Sequence, residues 1–216
     1  MTSFPRSPRI LKGGIVLLDP ESAAIKRIIP LQYNPDSITR SLQIKGMESE
    51  ESDRSEALRL TGPPVETSSL EAEIDATDDL EASESTATTE GIQPILAALE
   101  TIVYPESSKL FGNNSLAQSG TLEIIPMESN LTLFIWNKNR VVPVRITELS
   151  ITEEAFDINL NPIRAKVTLN LRVLSVEDLG FDHQGGNLYM NYQQSKEKLA
   201  GMFASGQLSN LGLNSI

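Results

Sequence analysis

The sequence predicts a mainly β, α+β fold: an antiparallel β-sandwich or partly closed barrel with one flanking helix and a C-terminal helix. Short segments rich in Ile, Val and Leu recur between turn-forming residues, as in proteins built of many short strands. Residues 163–175 alternate apolar and polar side chains along their whole length. Helical spacing of apolar residues is clear only at residues 91–104 and again after residue 187. Because the chain has no cysteine, packing alone must hold this fold.

The first half of the chain contains four predicted strands. Turn residues at 19–22 separate the first two, and Asn34-Pro35 ends the second, since proline lacks a donor and disfavours helix at the residue before it. In the fourth strand Leu70, Ala72 and Ile74 alternate with acidic residues, the period of a strand with one buried face. The four predicted strands cover residues 9–18, 25–33, 38–46 and 65–76.

Acidic residues are concentrated around the fourth strand. Residues 48–90 hold 14 of the 29 acidic residues of the chain and only two basic ones. Segments of this kind bury little apolar surface to offset their ordering entropy. We therefore expect residues 47–58 and 78–89 to be exposed acidic loops inserted into the β domain, and to be cut by proteases in the free subunit.

The second half of the chain begins with the helix at residues 91–104, which has Pro105 beyond its end. A polar loop over residues 107–120 follows. A hairpin turn at residues 137–140 joins two of the later strands. The predicted strands are residues 121–125, 130–137, 141–150, 151–159 and 163–175.

Two parts of unequal size are expected. Residues 1–180 form the β domain, and residues 181–216 form a Gly-rich turn at 182–187, an amphipathic helix and a polar tail. The apolar side of this helix is large for a segment that follows the end of a domain. We expect it to dock on a neighbouring subunit rather than fold back, so that a chain ending at Gln184 would still fold. The candidate partner-interface residues are Leu188, Tyr192, Leu199, Met202, Phe203 and Trp136.

Charge and hydropathy limit the classes of partner. The net charge of −11 repels phosphate, which argues against nucleic acid as a partner. The chain has no run of about 18 apolar residues, the length that a membrane helix needs. Residues 1–9 precede no long apolar stretch with a cleavage site, so we expect synthesis and first folding in the cytoplasm.

Catalytic chemistry has little support in the sequence. His183 is the only histidine, and its Gly-rich surroundings favour a surface turn. The acidic pairs at residues 78–79 and 153–154 lack the spacing of a calcium loop, so solvated charge explains them better. The two Gly-Gly pairs carry no phosphate-loop pattern. We therefore predict no catalytic residue, no metal ligand and no cofactor. For Trp136, sealing the end of the core is favoured over ligand stacking.

Several segments in order resemble the tube-protein family of contractile injection systems, the phage-tail-like particles of bacteria. The resemblance spans residues 26–175. Its most specific parts, when they are taken together, are residues 31–38, which contain Asn34-Pro35, and residues 161–167, which contain the run Pro162-Ile163-Arg164-Ala165. The other matching segments are residues 70–75, 91–105, 131–136 and 146–156.

The resemblance implies a phage-tube type of fold and a structural, non-catalytic role. Such a subunit forms a ring, hexameric in this family, that joins the end of the inner tube to the baseplate hub and spike within an assembled particle. Its partners would be further copies of itself, the inner tube protein, and either hub and spike or cap and sheath proteins. The chain departs from the family in having no LysM domain after residue 175, in Asn137 after Trp136 and in the acidic residues 48–53.

Two alternatives remain open. The missing LysM domain is also compatible with a cap adaptor that closes the opposite end of the tube. A β-sandwich module that binds a peptide or glycan through Trp136 and the loops near it is an alternative from a different class of protein.

Overall fold

A computed structural model describes residues 10–20, 22–46, 59–119, 129–211 and 213. Strands and helices alternate in blocks, and a short 3-10 helix, Leu208–Leu211, follows the last α-helix. The strands are β1 Gly14–Leu18, β2 Ile25–Pro30, β3 Ile38–Gln43, β4 Val65–Asp75, β5 Leu131–Asn137, β6 Arg140–Phe156 and β7 Pro162–Val173. The helices are α1 Thr77–Glu81, α2 Ser85–Glu90, α3 Gln93–Glu100, α4 Ser107–Gln118, α5 Val176–Leu179 and α6 Gln184–Gly201.

All seven strands belong to one antiparallel sheet with the order β2-β1-β5-β6-β7-β4-β3. The long β6 and β7 lie at its centre, and β2 and β3 form its edges. This arrangement confirms the predicted mainly β, antiparallel, α+β class. The sheet is not closed into a barrel, because no ladder joins β2 to β3 in the described part of the chain.

A glutamine side chain links the two sides of the open sheet. The Gln32 Nε2 donates to the Asp75 carbonyl oxygen at 2.6 Å, and the Asp75 N–H donates to the Gln32 Oε1 at 2.8 Å. Gln32 follows β2 at one edge, whereas Asp75 ends β4, the neighbour of the other edge strand. The side-chain amide thus makes the paired donor and acceptor contacts that a backbone residue makes in a ladder. It holds the sheet curved around its core.

The main hydrophobic core lies on the concave side of this sheet. Along β7, Ala165, Val167, Leu169 and Leu171 are at most 1% exposed, which confirms the inward face predicted from the alternation of this strand. Leu96 and Leu99 of α3 belong to the same cluster. The helix at residues 91–104 is therefore present, but its regular part ends at Glu100 and residues 101–104 form turns.

Two segments predicted as loops are helical. Of residues 78–89, all except 82–84 belong to α1 or α2. Asp78 and Asp79 occupy the first turn of α1, a position in which the helix dipole favours acidic residues. Ala87 of α2 is buried, which anchors the segment to the domain. Residues 107–120, predicted as a polar loop, include α4, a helix with no buried residue. Its apolar residues do not gather on one face, so the sequence contains no amphipathic pattern that predicts this helix.

The region of β6 was predicted as two strands but is one continuous strand of 17 residues. A register shift between Ile146 and Glu148 lets the strand continue past its irregular point, where the Thr147 Oγ1 donates to the Asn170 carbonyl oxygen at 3.0 Å. The hairpin turn at residues 137–140 is present, with the Asn139 N–H donating to the Asn137 Oδ1. The acidic segment 47–58 and the strand predicted at 121–125 lie outside the described residues.

In the part of the chain that the structure describes, no helix is both long enough and apolar enough to cross a membrane.

Leu169→Ala tests whether the concave face carries the stability of the fold. The substitution leaves a cavity in a fully buried site, so we expect the free energy of unfolding to fall by about 2–5 kcal/mol. Thr168→Ala, next to it on the opposite face, should change it by no more than about 0.5 kcal/mol. Chemical denaturation monitored by tryptophan fluorescence measures both. Equal effects of the two substitutions would contradict the assignment of the inward face.

Candidate functional site

The central strand β6 has a long unpaired edge. β7 pairs with β6 from Val144 to Phe156, but β5 pairs only with residues 140–144 on the other side of β6. Over residues 145–156, therefore, one row of backbone N–H and C=O groups has no strand partner among the described residues. An open strand edge of this length is a template for pairing with another chain.

Apolar side chains accompany this edge. Ile146, Leu149 and Ile151 of β6 are partly buried against the main core. Val103 and Tyr104, beyond the end of α3, lie beside them and are exposed. Apolar surface and unpaired backbone groups therefore coincide here, which is the combination that a pairing strand can cover.

The hairpin between β6 and β7 ends in a turn built around Asp157. Its Oδ1 accepts from the N–H groups of Asn159 at 2.7 Å and Asn161 at 2.8 Å, and its Oδ2 accepts from the Asn161 Nδ2 at 2.9 Å. Desolvation raises the pKa of Asp157, but these bonds outweigh it, so the pKa lies below its ordinary value. The Asn161 Nδ2 also donates to the Thr89 carbonyl oxygen at 2.9 Å. The turn is thus fixed internally and attached to α2.

This fixed turn, residues 156–160, displays apolar side chains to solvent; we call it the hairpin tip. Ile158 is 98% exposed and Leu160 is 78% exposed, and Phe156 beside them is half-exposed. Leu160 has a positive φ of 65°, a left-handed conformation that is strained for a leucine. The turn therefore holds its backbone in an unfavourable conformation while its apolar side chains remain uncovered.

The C-terminal helix differs from its prediction in two ways. It begins at Gln184, so residues 182–187 are not wholly a turn: His183 is its N-cap, with its Nδ1 accepting from the Gly185 N–H at 3.0 Å. A Cβ at position 186 would collide with the Gly180 carbonyl oxygen, so only a glycine permits this tight start of the helix. The second difference is that Tyr192 is only 4% exposed and lies in the main core with Tyr189. Tyr192 is therefore a core residue and not part of a free interface.

A buried carboxylate attaches α6 to the sheet. The Tyr192 hydroxyl donates to the Glu66 Oε1 at 2.8 Å, and Glu66, in β4, is 4% exposed. The Lys196 Nζ lies 3.4 Å from the Glu66 Oε2 and 4.1 Å from the centre of the Tyr192 ring, and the Arg40 guanidinium lies 3.6 Å from the Oε1. Desolvation, together with the bond to Glu66 and its negative charge, raises the pKa of Tyr192. Pairing of this kind is what allows a carboxylate to be buried.

The other predicted interface residues in this part of the chain differ in their exposure. Leu188, near its beginning, packs against a second, smaller cluster formed by β1 and β5. Leu199, Met202 and Phe203 are exposed, and Phe203 is 80% exposed. Of the five apolar residues predicted as one docking face, two thus contact the domain itself and three remain available to a partner.

Trp136 seals one end of the core. Its ring stacks on that of Phe134 with the ring centres 6.3 Å apart, and it packs against the main cluster. A Cβ at Gly13 would lie only 2.6 Å from the Trp136 Cε3, so a glycine is needed there. This is the role that the sequence favoured; a contact of Trp136 with a partner stays a prediction.

Groups of acidic and histidine residues are spread apart. The described residues contain no group of three or more that could hold a metal ion. Of the two acidic pairs, Asp78-Asp79 lies in the first turn of α1 and Glu153-Glu154 lies on β6, where Glu154 is 3.8 Å from Lys166.

The sequence did not predict the hairpin tip or the open edge of β6. Residues 151–159 were assigned wholly to a strand, which hid the turn at its end. The sequence does contain a signal for the turn, namely Asp157-Ile158-Asn159-Leu160-Asn161. Asp and Asn favour turns, and three of these five residues are Asp or Asn. The open edge depends on the lengths of two strands that pair, which one segment read alone does not reveal.

No protein-family model matches the chain, and no curated protein matches it significantly.

Asp157→Ala tests the fixed tip. Loss of all three side-chain bonds should speed amide hydrogen exchange at Asn159 and Asn161 by at least about tenfold, since each amide loses its acceptor. Exchange in the centre of β7, for example at Leu169, should not change. Hydrogen exchange followed by NMR provides both values, and unchanged exchange at the tip would show that Asp157 does not hold it.

Tyr192→Ala tests whether α6 belongs to the folded domain. Loss of a buried aromatic ring should lower the free energy of unfolding by about 3–5 kcal/mol. Phe203→Ala removes an exposed aromatic ring just after the same helix and should cost no more than about 0.5 kcal/mol. A chain ending at Gln184 should fail to fold, contrary to what the sequence suggested, and a cooperative thermal transition in that chain would refute the attachment.

Proposed function

We propose that this protein is a structural, non-catalytic ring subunit of a contractile injection system, which joins the end of the inner tube to the baseplate hub and spike. The observation that carries the proposal is the unpaired edge of β6 over residues 145–156. A subunit whose central strand keeps one edge open gains backbone hydrogen bonds when a strand of a neighbour pairs with it.

The sequence resemblance to the tube-protein family is a separate line of support. Among its matching segments are residues 146–156, the part of the chain that carries the open edge. The amount of exposed apolar surface agrees with a subunit that acts in an assembly. Ile25 and Ile28 on β2 and Leu42 on β3 are exposed at both edges of the sheet. Exposed apolar patches that lie at strand edges are typical of association sites.

The sheet offers a simple route to a ring. A strand of one subunit pairs with β6 of the next, and the same contact repeats around the assembly, which closes if the rotation permits. The core of each subunit stays complete, because Leu169 and the other inward side chains of β7 are buried within the single chain. Assembly then adds hydrogen bonds at edges without rearrangement of the core.

Proline substitutions at Thr152 and Glu153 test the edge. Both residues are exposed and adjacent, so their N–H groups point to opposite sides of β6. Proline at the position facing β7 should destabilise the monomer, whereas proline at the position facing outward should leave the melting temperature within a few degrees but abolish oligomers.

The two variants are compared by thermal melting and by light scattering after size exclusion. The wild-type protein should form oligomers at high concentration, visible as rings by negative-stain microscopy. A wild-type chain that stays monomeric, or oligomers that persist in both proline variants, would contradict pairing at this edge.

Particles produced without this gene test the place in the assembly. We expect tube ends that are missing or detached from the baseplate, and complete normal particles would refute the proposal. Gold labelling of a tag on the subunit distinguishes the spike end from the cap end, where an adaptor would lie instead.

A further inference from the structure

The hairpin between β6 and β7 has an apolar projection at one end and a mostly apolar cavity at the other. The projection is the hairpin tip, with Ile158 and Leu160. The cavity, of about 400 Å³, lies where β6 passes the beginning of β5 and is lined by Ile102, Val103 and Leu179, among others. This volume is within the range of about 300–1,000 Å³ typical of sites that enclose a bound group.

The tip is prepared for binding before any partner arrives. Asp157 fixes the turn, and Asn161 attaches it to α2. A partner therefore need not order this segment, and the ordering of flexible groups is a main cost of association. Exposed aliphatic side chains on a rigid turn are suited to insertion into a preformed cavity.

Charges along the β6 side of the hairpin are arranged with opposite signs at its two ends. Near the tip lie Glu153 and Glu154, and of these Glu153 has no salt-bridge partner among the described residues. At the other end Arg140 and Arg145 are likewise unpaired within the described part of the chain, and Arg145 lies at the cavity itself. A tip with acidic residues beside it is complementary to a cavity with an arginine beside it.

From these observations we propose that the hairpin tip of one subunit inserts Ile158 and Leu160 into the cavity beside Val103 of the next copy of this chain. The contact is head-to-tail, because projection and cavity lie on different parts of the surface, and it repeats from copy to copy. It rests on the proposed ring function and adds to it a specific anchor besides strand pairing.

The natural absence of cysteine makes this contact testable by cross-linking. Two single variants, Ile158→Cys and Val103→Cys, are mixed and oxidised briefly. Insertion of the tip brings the two thiols of different chains together, so the disulfide heterodimer should form at least tenfold faster than in a control mixture of Ile158→Cys with Ser41→Cys. Ser41 is exposed on β3, away from the cavity.

Substitutions that introduce or reverse a charge provide the second measurement. Ile158→Lys should reduce cross-linking of a tip cysteine placed at Leu160 at least tenfold, since a second positive charge would have to enter a mostly apolar cavity beside Arg145. Glu153→Arg should slow cross-linking of Ile158→Cys with Val103→Cys, and Arg145→Glu in the cavity partner should restore it.

Each outcome decides between the proposals. Equal rates in the test and control mixtures would overturn the tip contact, and so would a faster homodimer of Ile158→Cys, which would indicate tip-to-tip association. If rings sensitive to proline in β6 still form in that case, the ring function stands without this anchor. If the wild-type chain shows neither oligomers nor faster cross-linking, both proposals fail.

Discussion

The structure depends on the burial of one face of β7. This strand pairs with β6 on one side and β4 on the other, and its inward side chains are at most 5% exposed from Ala165 to Val173. A one-residue slip in either ladder would turn that whole face to solvent, so the register of three strands is fixed together. The helices follow from it: α3 covers the core, and the Ile92 N–H at its beginning donates to the Pro162 carbonyl oxygen at the start of β7.

Part of the fold was predictable because some elements have a clear local pattern of apolar residues. The alternation of β7 and the helical spacing of α3 are local patterns, and both elements were found from them. Residues 78–89 and 107–118 form helices with little or no buried apolar surface, so composition pointed to loops. The fate of Tyr192 was also beyond local pattern, because its hydroxyl is bonded to Glu66, 126 residues earlier in the chain. A helical face has the same spacing whether its own domain or a neighbour covers it.

Polar side chains, more than apolar ones, determine how the ends of this sheet are finished. Gln32 joins its two sides, Glu66 receives α6, and Asp157 shapes the hairpin tip. Gln32 and Asp157 bond to backbone groups that the end of a strand leaves unpaired, and such groups are costly when buried. Glu66 bonds instead to the side chains of Tyr192, Lys196 and Arg40. The apolar core sets which strands lie together, whereas these few polar residues fix the ends of the strands and the position of α6 on the sheet.

The helix α4 lies outside the hydrophobic core. None of its side chains is buried, and it contributes nothing to the cohesion of the core. Selection for a stable fold therefore acts only weakly on residues 107–118, in contrast to β7, where nearly every second residue is confined by its neighbours. A label or a fusion partner placed in this segment should therefore leave the sheet undisturbed.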